Sequence, residues 1–241
     1  MNDKVQTSIF HSSSSRGLAN HGWLISRHTF SFASYYNPDR SNFGALRVLN
    51  DDIVKPGQGF GTHPHDNMEI VSIPISGSLA HKDNTGNEKE IKTGEVQIMS
   101  AGSGIYHSEY NYSKTEEVNF LQIWILPKER NITPRYDQKD YSAHLENNQL
   151  ITVVSPSAKD ALWINQDAEL TLGKLKAGTS ITHKLKFKHN GMYAFVIEGE
   201  ANVNDTKLNH RDAVGLFSNP WISINITQDS TILLIEVPQI N

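Results

Sequence analysis

His63-Pro64-His65 and His107-Ser108-Glu109 are two places where side chains able to do chemistry stand two residues apart. On an extended chain, residues i and i+2 point to the same face, so each pair can aim both side chains at one point. If the two segments pair or face each other, three neutral nitrogens and one anionic oxygen meet. That donor set suits a divalent first-row metal and leaves positions for water or substrate. A single His-x-His is commonly a surface accident. Here two such pairs each follow a glycine-rich stretch, with Gly57, Gly59 and Gly61 before the first and Gly102 and Gly104 before the second. Those glycines permit the tight turns that would deliver each strand to a common mouth. The expectation is one metal held by His63, His65, His107 and Glu109. Glu109, the only anionic ligand, is also the candidate to take or share a substrate proton. Phe60, Met99 and Ile105 flank the ligand segments and are candidate walls of an apolar substrate pocket.

Strands must carry these residues, and the sequence is written in strands. Short runs of β-branched and aromatic residues recur between clusters of Gly, Asn, Asp and Pro. Ala45–Leu49, Glu69–Ile75, Val96–Met99 and Val118–Leu126 read as strands of the first half. Leu150–Val154, Leu170–Leu175, Tyr193–Ile197, Ile222–Ile226 and Ile232–Val237 read as strands of the second. Such spacing favours an all-β sandwich or barrel over alternating β/α units. Val118–Leu126 is apolar on both faces, as expected of a strand between a barrel interior and a neighbouring layer. Pro74 demotes its run to an edge strand or a bulge. Thr29–Tyr35 is a further candidate strand, and Ser12–Ser15 a surface loop.

Residues 75–84 leading to 92–99 resemble residues 197–205 leading to 209–217. Each has an apolar strand, a Gly turn (Gly77, Gly199), an alternating strand and an acidic residue opening another apolar strand. The similarity implies a duplicated β-barrel with a boundary between Pro127 and Leu150. We place it at 135/136, giving an N-terminal metal-binding unit, 1–135, and a C-terminal unit, 136–241. Asn131–Gln149 reads as a linker or a short covering helix.

Composition narrows the partners. The formal net charge is −4, from 22 basic and 26 acidic residues, with no basic block to track a nucleic-acid backbone. Direct nucleic-acid binding is therefore not expected. Cysteine is absent, which excludes disulfides, thiolate metal sites and cysteine nucleophiles. The opening Met-Asn-Asp-Lys-Val-Gln lacks the layout of a signal peptide, and no apolar run reaches membrane-spanning length. A cytoplasmic monomer without membrane contact is the expectation.

The residues also resemble a family. Gly57 through Gly77 is similar to the first cupin motif, with His63, His65 and Glu69 in register, and Gly94 through Asn111 to the second. One extra residue before Gly77 and a longer glycine turn before His107 resemble pirins in particular. So do Ala-Asn-His-Gly-Trp-Leu (19–24), Ala-Leu-Arg-Val-Leu-Asn-Asp-Asp (45–52), Gly-Thr-His-Pro-His (61–65) and Gln-Ile-Trp-Ile-Leu-Pro (122–127). The resemblance, strongest over 16–140, is to bacterial pirins similar to quercetin 2,3-dioxygenases. It implies two tandem cupin barrels of the double-stranded β-helix, or jelly-roll, type. It also implies that His63, His65, His107 and Glu109 are the ligands, whereas Glu69, a ligand in many other cupins, is structural here and bonds its turn.

Aligning Gly199 with Gly77 puts Leu185 and Phe187 where His63 and His65 stand, and aligning Asp212 with Glu95 puts Ile224 and Ile226 where His107 and Glu109 stand, so that barrel is expected to be a degenerate cupin without metal. The activity implied is cleavage of a small aromatic substrate, a flavonol such as quercetin, with O2. The 3-hydroxyl loses its proton, the ring carbons react with O2, and the central ring opens with loss of carbon monoxide. Iron is the first expectation for the metal, and Mn, Co, Ni, Cu or Zn would accept the same donors. The rival reading is a non-enzymatic, metal-dependent regulator acting through protein contacts.

Overall fold

Alternation along the strands decides the architecture, because each strand offers one face to a barrel interior and the other to its neighbour. The computed structural model describes residues 8–217 and 219–239. The opening segment used to judge the compartment lies outside the described residues. In the first half the strands are β1 (Ser8–His11), β2 (Gly17–Asn20), β3 (Leu24–His28), β4 (Leu46–Val54), β5 (Gly59–His65) and β6 (Glu69–Ser76). They continue as β7 (Ser78–Asp83), β8 (Glu88–Lys92), β9 (Glu95–Ser100), β10 (Ile105–Asn111), β11 (Val118–Ile125) and β12 (Arg135–Asp140). A one-turn helix, α1 (Ser142–Leu145), leads to β13 (Ile151–Val154), β14 (Glu169–Leu175), β15 (Ser180–Lys184) and β16 (Asn190–Val203). β17 (Thr206–Leu208), β18 (Ala213–Leu216) and β19 (Trp221–Pro238) complete the chain. Among the described residues no helix is long and apolar enough to cross a membrane.

Two sheets, ordered β12-β9-β6-β11-β4-β3-β2 and β5-β10-β7-β8, make the first barrel. The second is built on β1-β18-β16-β19-β14-β13, with β15 and β17 added to the long strands β19 and β16. The protein is thus all-β, two tandem cupin barrels. The chain crosses between them at both ends of its first half. β1 pairs with β18 of the second barrel, and β12, which begins at the expected 135/136 division, pairs with β9 of the first. The stretch read as a linker therefore contributes a sheet strand before its short helix.

β11 behaves as its two-sided apolarity requires. Leu121, Ile123 and Ile125 enter the largest apolar cluster, which also holds Tyr193, Phe195, Leu233 and Ile235 of the second barrel. Phe120 and Trp124 face the first barrel's interior. Pro74 lies beyond the last β6–β9 pair and opposite a register shift against β11, so it costs no ladder bond although β6 is internal. Three expectations change. Thr29–Tyr35 is a loop closed by a Phe32–Tyr35 bridge, and the added strands are β2 and β3 instead. Ile222–Ile226 and Ile232–Val237 belong to one strand, β19, bulged against β16. β4 runs on through Asn50-Asp51-Asp52, because pairing with β3 and β11 overrides the strand-breaking tendency of those residues.

Candidate metal centre and its cavity

The two sequence pairs meet as neighbours in one sheet. β10 pairs with β5 so that His107 lies opposite His63, and the register then shifts to set Glu109 opposite Phe60. This bulge turns Phe60 and His63, three residues apart, into the same cavity, which a regular strand would forbid. Gly59 is required there: a Cβ would sit 2.3 Å from the Glu109 carbonyl oxygen. At the other turn Gly102 has φ +50° and its missing Cβ would meet the Ile132 carbonyl at 2.1 Å.

The ligand-type atoms of His63, His65 and His107 all lie within 4.8 Å of one another. The His63 Nδ1–H donates to the Gly61 carbonyl at 2.8 Å, which fixes the tautomer and turns Nε2 toward His107 Nε2, 3.1 Å away. His65 Nε2 and His107 Nδ1 are buried without a hydrogen-bond partner. Burial, reinforced by the neighbouring imidazoles, lowers the His65 pKa to about 4. Burial likewise brings His107 to about 4 against the pull of Glu109. Neutral, close-set imidazoles with uncommitted nitrogens are the form in which histidine binds a cation, so the residues fit a divalent metal.

Glu109 is buried beside them and is held by three donors. Ser72 Oγ and Gln97 Nε2 donate to Oε1 at 2.9 and 3.0 Å, and Gln122 Nε2 donates to Oε2 at 2.6 Å. Burial alone would raise its pKa, but His107, His81 and these hydrogen bonds bring it below the usual carboxylate range. Such a carboxylate is held as the anion, the form in which it ligates a cation. Its donors come from one level of the large sheet, where Gln122 lies opposite Ser72 and Ser72 opposite Gln97.

Glu69 is not part of the cluster. Its Oε2 accepts from Ser100 Oγ at 2.8 Å and from the Asn165 backbone N–H at 3.2 Å, so it ties the barrels together instead of bonding its own turn.

His81 and Asp83 are an addition that the pair reading overlooked, although His81-Lys82-Asp83 repeats the His-x-acid spacing of His107-Ser108-Glu109. On β7, His81 lies opposite Glu109 and Asp83 opposite His107. His81 joins His107 and Glu109 in a second set of ligand-type atoms within 4.8 Å. Its Nε2–H donates to Asp83 Oδ2 at 3.1 Å and its ring stacks on Tyr136 at 4.5 Å. Burial opposes the Asp83 charge, but hydrogen bonds from Asn87, Thr85 and His81 hold its carboxyl well below the usual range.

The cluster opens on a cavity of about 380 Å³. His63, His65 and Glu109 line one side; Trp23, Leu24, Phe32, Phe60 and Trp124 supply apolar wall; Ser26, His28, Asn50, Asp52 and Gln122 supply a polar one. Phe60 lines this cavity, packed edge-on to Trp23 at 5.3 Å. Met99 and Ile105 are not. Both face inward but are fully buried with Ile70 and Ala101, in a cluster against which Trp124 packs. Trp124 takes the wall position and meets the His65 ring edge-on at 4.8 Å. Ile224 and Ile226 of the second barrel lie in an all-aliphatic cluster with Leu185 at its margin, while Phe187 is half-buried outside it.

Two cupin barrels, the first carrying three clustered imidazoles with the Glu109 carboxylate beside His107, define the class. The family model described as Pirin matches residues 10–125, and that of the quercetinase C-terminal cupin domain matches residues 152–237. The chain is 45% identical over 226 residues to a quercetin 2,3-dioxygenase of Escherichia coli K12, covering 93% of this chain and 96% of the relative. It is 40% identical to a pirin-like protein of Caulobacter vibrioides, covering 91% and 95%. Among solved structures, a bacterial pirin of Escherichia coli in complex with nickel(II) superposes with a TM-score of 0.91 at 42% identity, covering 97% of this chain and all of that one. The chain belongs to the pirin family.

Proposed function

We propose that the protein is a metal-dependent dioxygenase that opens flavonol-type aromatic enols with O2. The observation that carries this reading is the His63/His65/His107 cluster, with Glu109 beside it, opening on an aromatic-walled cavity large enough for a small ring system. Relatives named quercetin 2,3-dioxygenase support the same substrate class. His63, His65, His107 and Glu109 would hold one divalent metal, which when bound supplies Lewis-acid and redox chemistry toward an enolic hydroxyl and O2. Trp124 and Phe60 would press the substrate's rings between them, limiting its orientation and keeping water out. Gln122, Ser72 and Gln97 hold the Glu109 carboxylate in place, so that the anionic ligand does not have to reorganise.

The test is oxygen uptake with quercetin and simpler flavonols, on protein loaded in turn with Fe, Mn, Co, Ni, Cu and Zn. Uptake that depends on metal, with one carbon monoxide released per O2, is the expected result. No uptake with any metal would end the dioxygenase reading and leave the regulator acting through protein contacts.

A further inference from the structure

Two successive acids on β4, Asp51 and Asp52, point to opposite faces and meet opposite fates. Asp51 faces the second barrel, where Arg211 Nε lies 3.3 Å and Arg16 Nη1 3.9 Å from its Oδ2. Asp52 faces the cavity, is 3% exposed, and its Oδ1 has no hydrogen-bond partner. Its neighbours along the same wall are Asn50, whose Oδ1 is likewise without a partner, and His28, whose Nδ1 is. The register explains their convergence, with Ser26 opposite Asp52 and His28 opposite Asn50. Asn50 in turn lies opposite Gln122, the residue that donates to Glu109. Asp52 therefore stands one strand repeat, about 7 Å, along β4 from the row that ends on the Glu109 carboxylate. A carboxyl group without a cationic partner in an aromatic-walled cavity is costly, and a neutral side chain would serve the fold better.

We propose, resting on the reading of this cavity as the substrate site, that Asp52 is the catalytic base that takes the proton of the substrate's hydroxyl. In that step the substrate O–H bond breaks and a carboxylic O–H forms on the Asp52 carboxyl group. The bonding pair stays on the substrate oxygen, and nothing is oxidised or reduced. Glu109 is held for ligation instead, with Ser72 and Gln97 donating to one of its oxygens and Gln122 to the other. Burial pushes the Asp52 carboxyl up to about 7, with the Ser26 hydrogen bond opposing and Asp51 and Glu109 adding to the shift. A base poised near neutrality exchanges a proton most effectively at that pH. The groups that bear on it are Ser26 and His28 on β3, Asp51 on its own strand and Glu109 on β10, with Phe120 opposite on β11.

The experiment uses the metal-loaded full-length protein without O2 and 3-hydroxyflavone as probe, whose single hydroxyl gives a red-shifted absorption band on losing its proton. In the unsubstituted protein the bound probe should be the anion at neutral pH. Asp52→Asn is isosteric and removes a buried charge, so folding is not at stake. It should move the midpoint of probe deprotonation up by one pH unit or more at unchanged metal content, and Asp52→Glu should restore most of the shift. An unchanged midpoint in Asp52→Asn, loss of metal from that variant, or failure of the unsubstituted protein to bind the probe would each overturn the assignment. Oxygen readmitted afterwards separates the two readings. Deprotonation that depends on Asp52, without O2 uptake, keeps Asp52 and removes the dioxygenase. O2 uptake with an unchanged midpoint keeps the dioxygenase and removes Asp52.

Discussion

Asp51→Asn tests how the two barrels are held together. The carboxylate lies between two guanidinium groups, and Asn119 Nδ2 donates to its other oxygen at 2.7 Å. The Arg16 side chain is 1% exposed and that of Arg211 12%, so neither cation can turn to water without moving. At an effective dielectric of about 20, charges 3.3 and 3.9 Å apart attract by about 5 and 4 kcal/mol. Much of that offsets the cost of dehydrating three ions, so the net worth of the cluster is small. Removing the anion alone is different, because two like charges then remain buried with no counter-ion, at a cost of about 3–5 kcal/mol. Arg16 Nε and Nη1 and Arg211 Nη1 already have no hydrogen-bond partner, so no spare acceptor takes over. Urea unfolding followed by tryptophan fluorescence reads the loss directly. In a melting scan it corresponds to a fall on the order of 10 °C for a chain of this size. Asp51→Asn combined with Arg211→Ala should lose less than the two single changes added together, because the second removes one of the stranded charges. A single-variant loss below about 0.5 kcal/mol, the level of ordinary surface changes, would show that the cluster is solvated and refute the reasoning.

Burial raises the Glu69 pKa from the ordinary carboxylate value, 4.5, to about 7, so between those values the folded protein binds more protons than the unfolded chain. Its contribution to stability therefore falls as pH rises through that window. Glu69→Gln should remove this slope and gain up to about 3 kcal/mol at pH 8, as read from denaturant midpoints across pH; an unaltered slope would assign the pH dependence elsewhere. Met99→Ala should destabilise by about 2–5 kcal/mol through the cavity it leaves in a sealed core. Phe60→Ala, at the cavity wall, should instead weaken flavonol binding severalfold with a smaller loss of stability. Titrations of both variants that gave the opposite pattern would return Met99 to the pocket. His107→Ala should abolish tight metal binding by elemental analysis while far-ultraviolet circular dichroism stays that of the β-barrels; one metal per chain retained in this variant would move the site off the cluster.

The candidate ligand segments were legible because their chemistry is local. His-x-His and His-x-Glu on extended chain need only period-two alternation to converge, and the glycines that admit close backbone approach are visible as glycines. The two-sided apolarity of β11 was equally local, since a strand covered on both faces must be apolar on both. What the sequence leaves open is which inward-facing residue reaches which space. Met99 and Trp124 both point into the first barrel, but the cross-strand packing of Trp124 over Ile70 and Met99 seals one and exposes the other.

The polar wall was beyond sequence reasoning for a related reason. Asn50-Asp51-Asp52 reads as the end of a strand, and only the flanking strands β3 and β11 make it extended. Once it is, alternation sends Asp51 to two arginines from distant parts of the chain and Asp52 into the cavity. The fates of adjacent, chemically identical side chains thus depend on charges and walls brought by other strands. Residue type and spacing determined the barrels and the residues that cluster in the first of them; long-range register alone decided which carboxylate is compensated, which is held as an anion, and which is left free to take a proton.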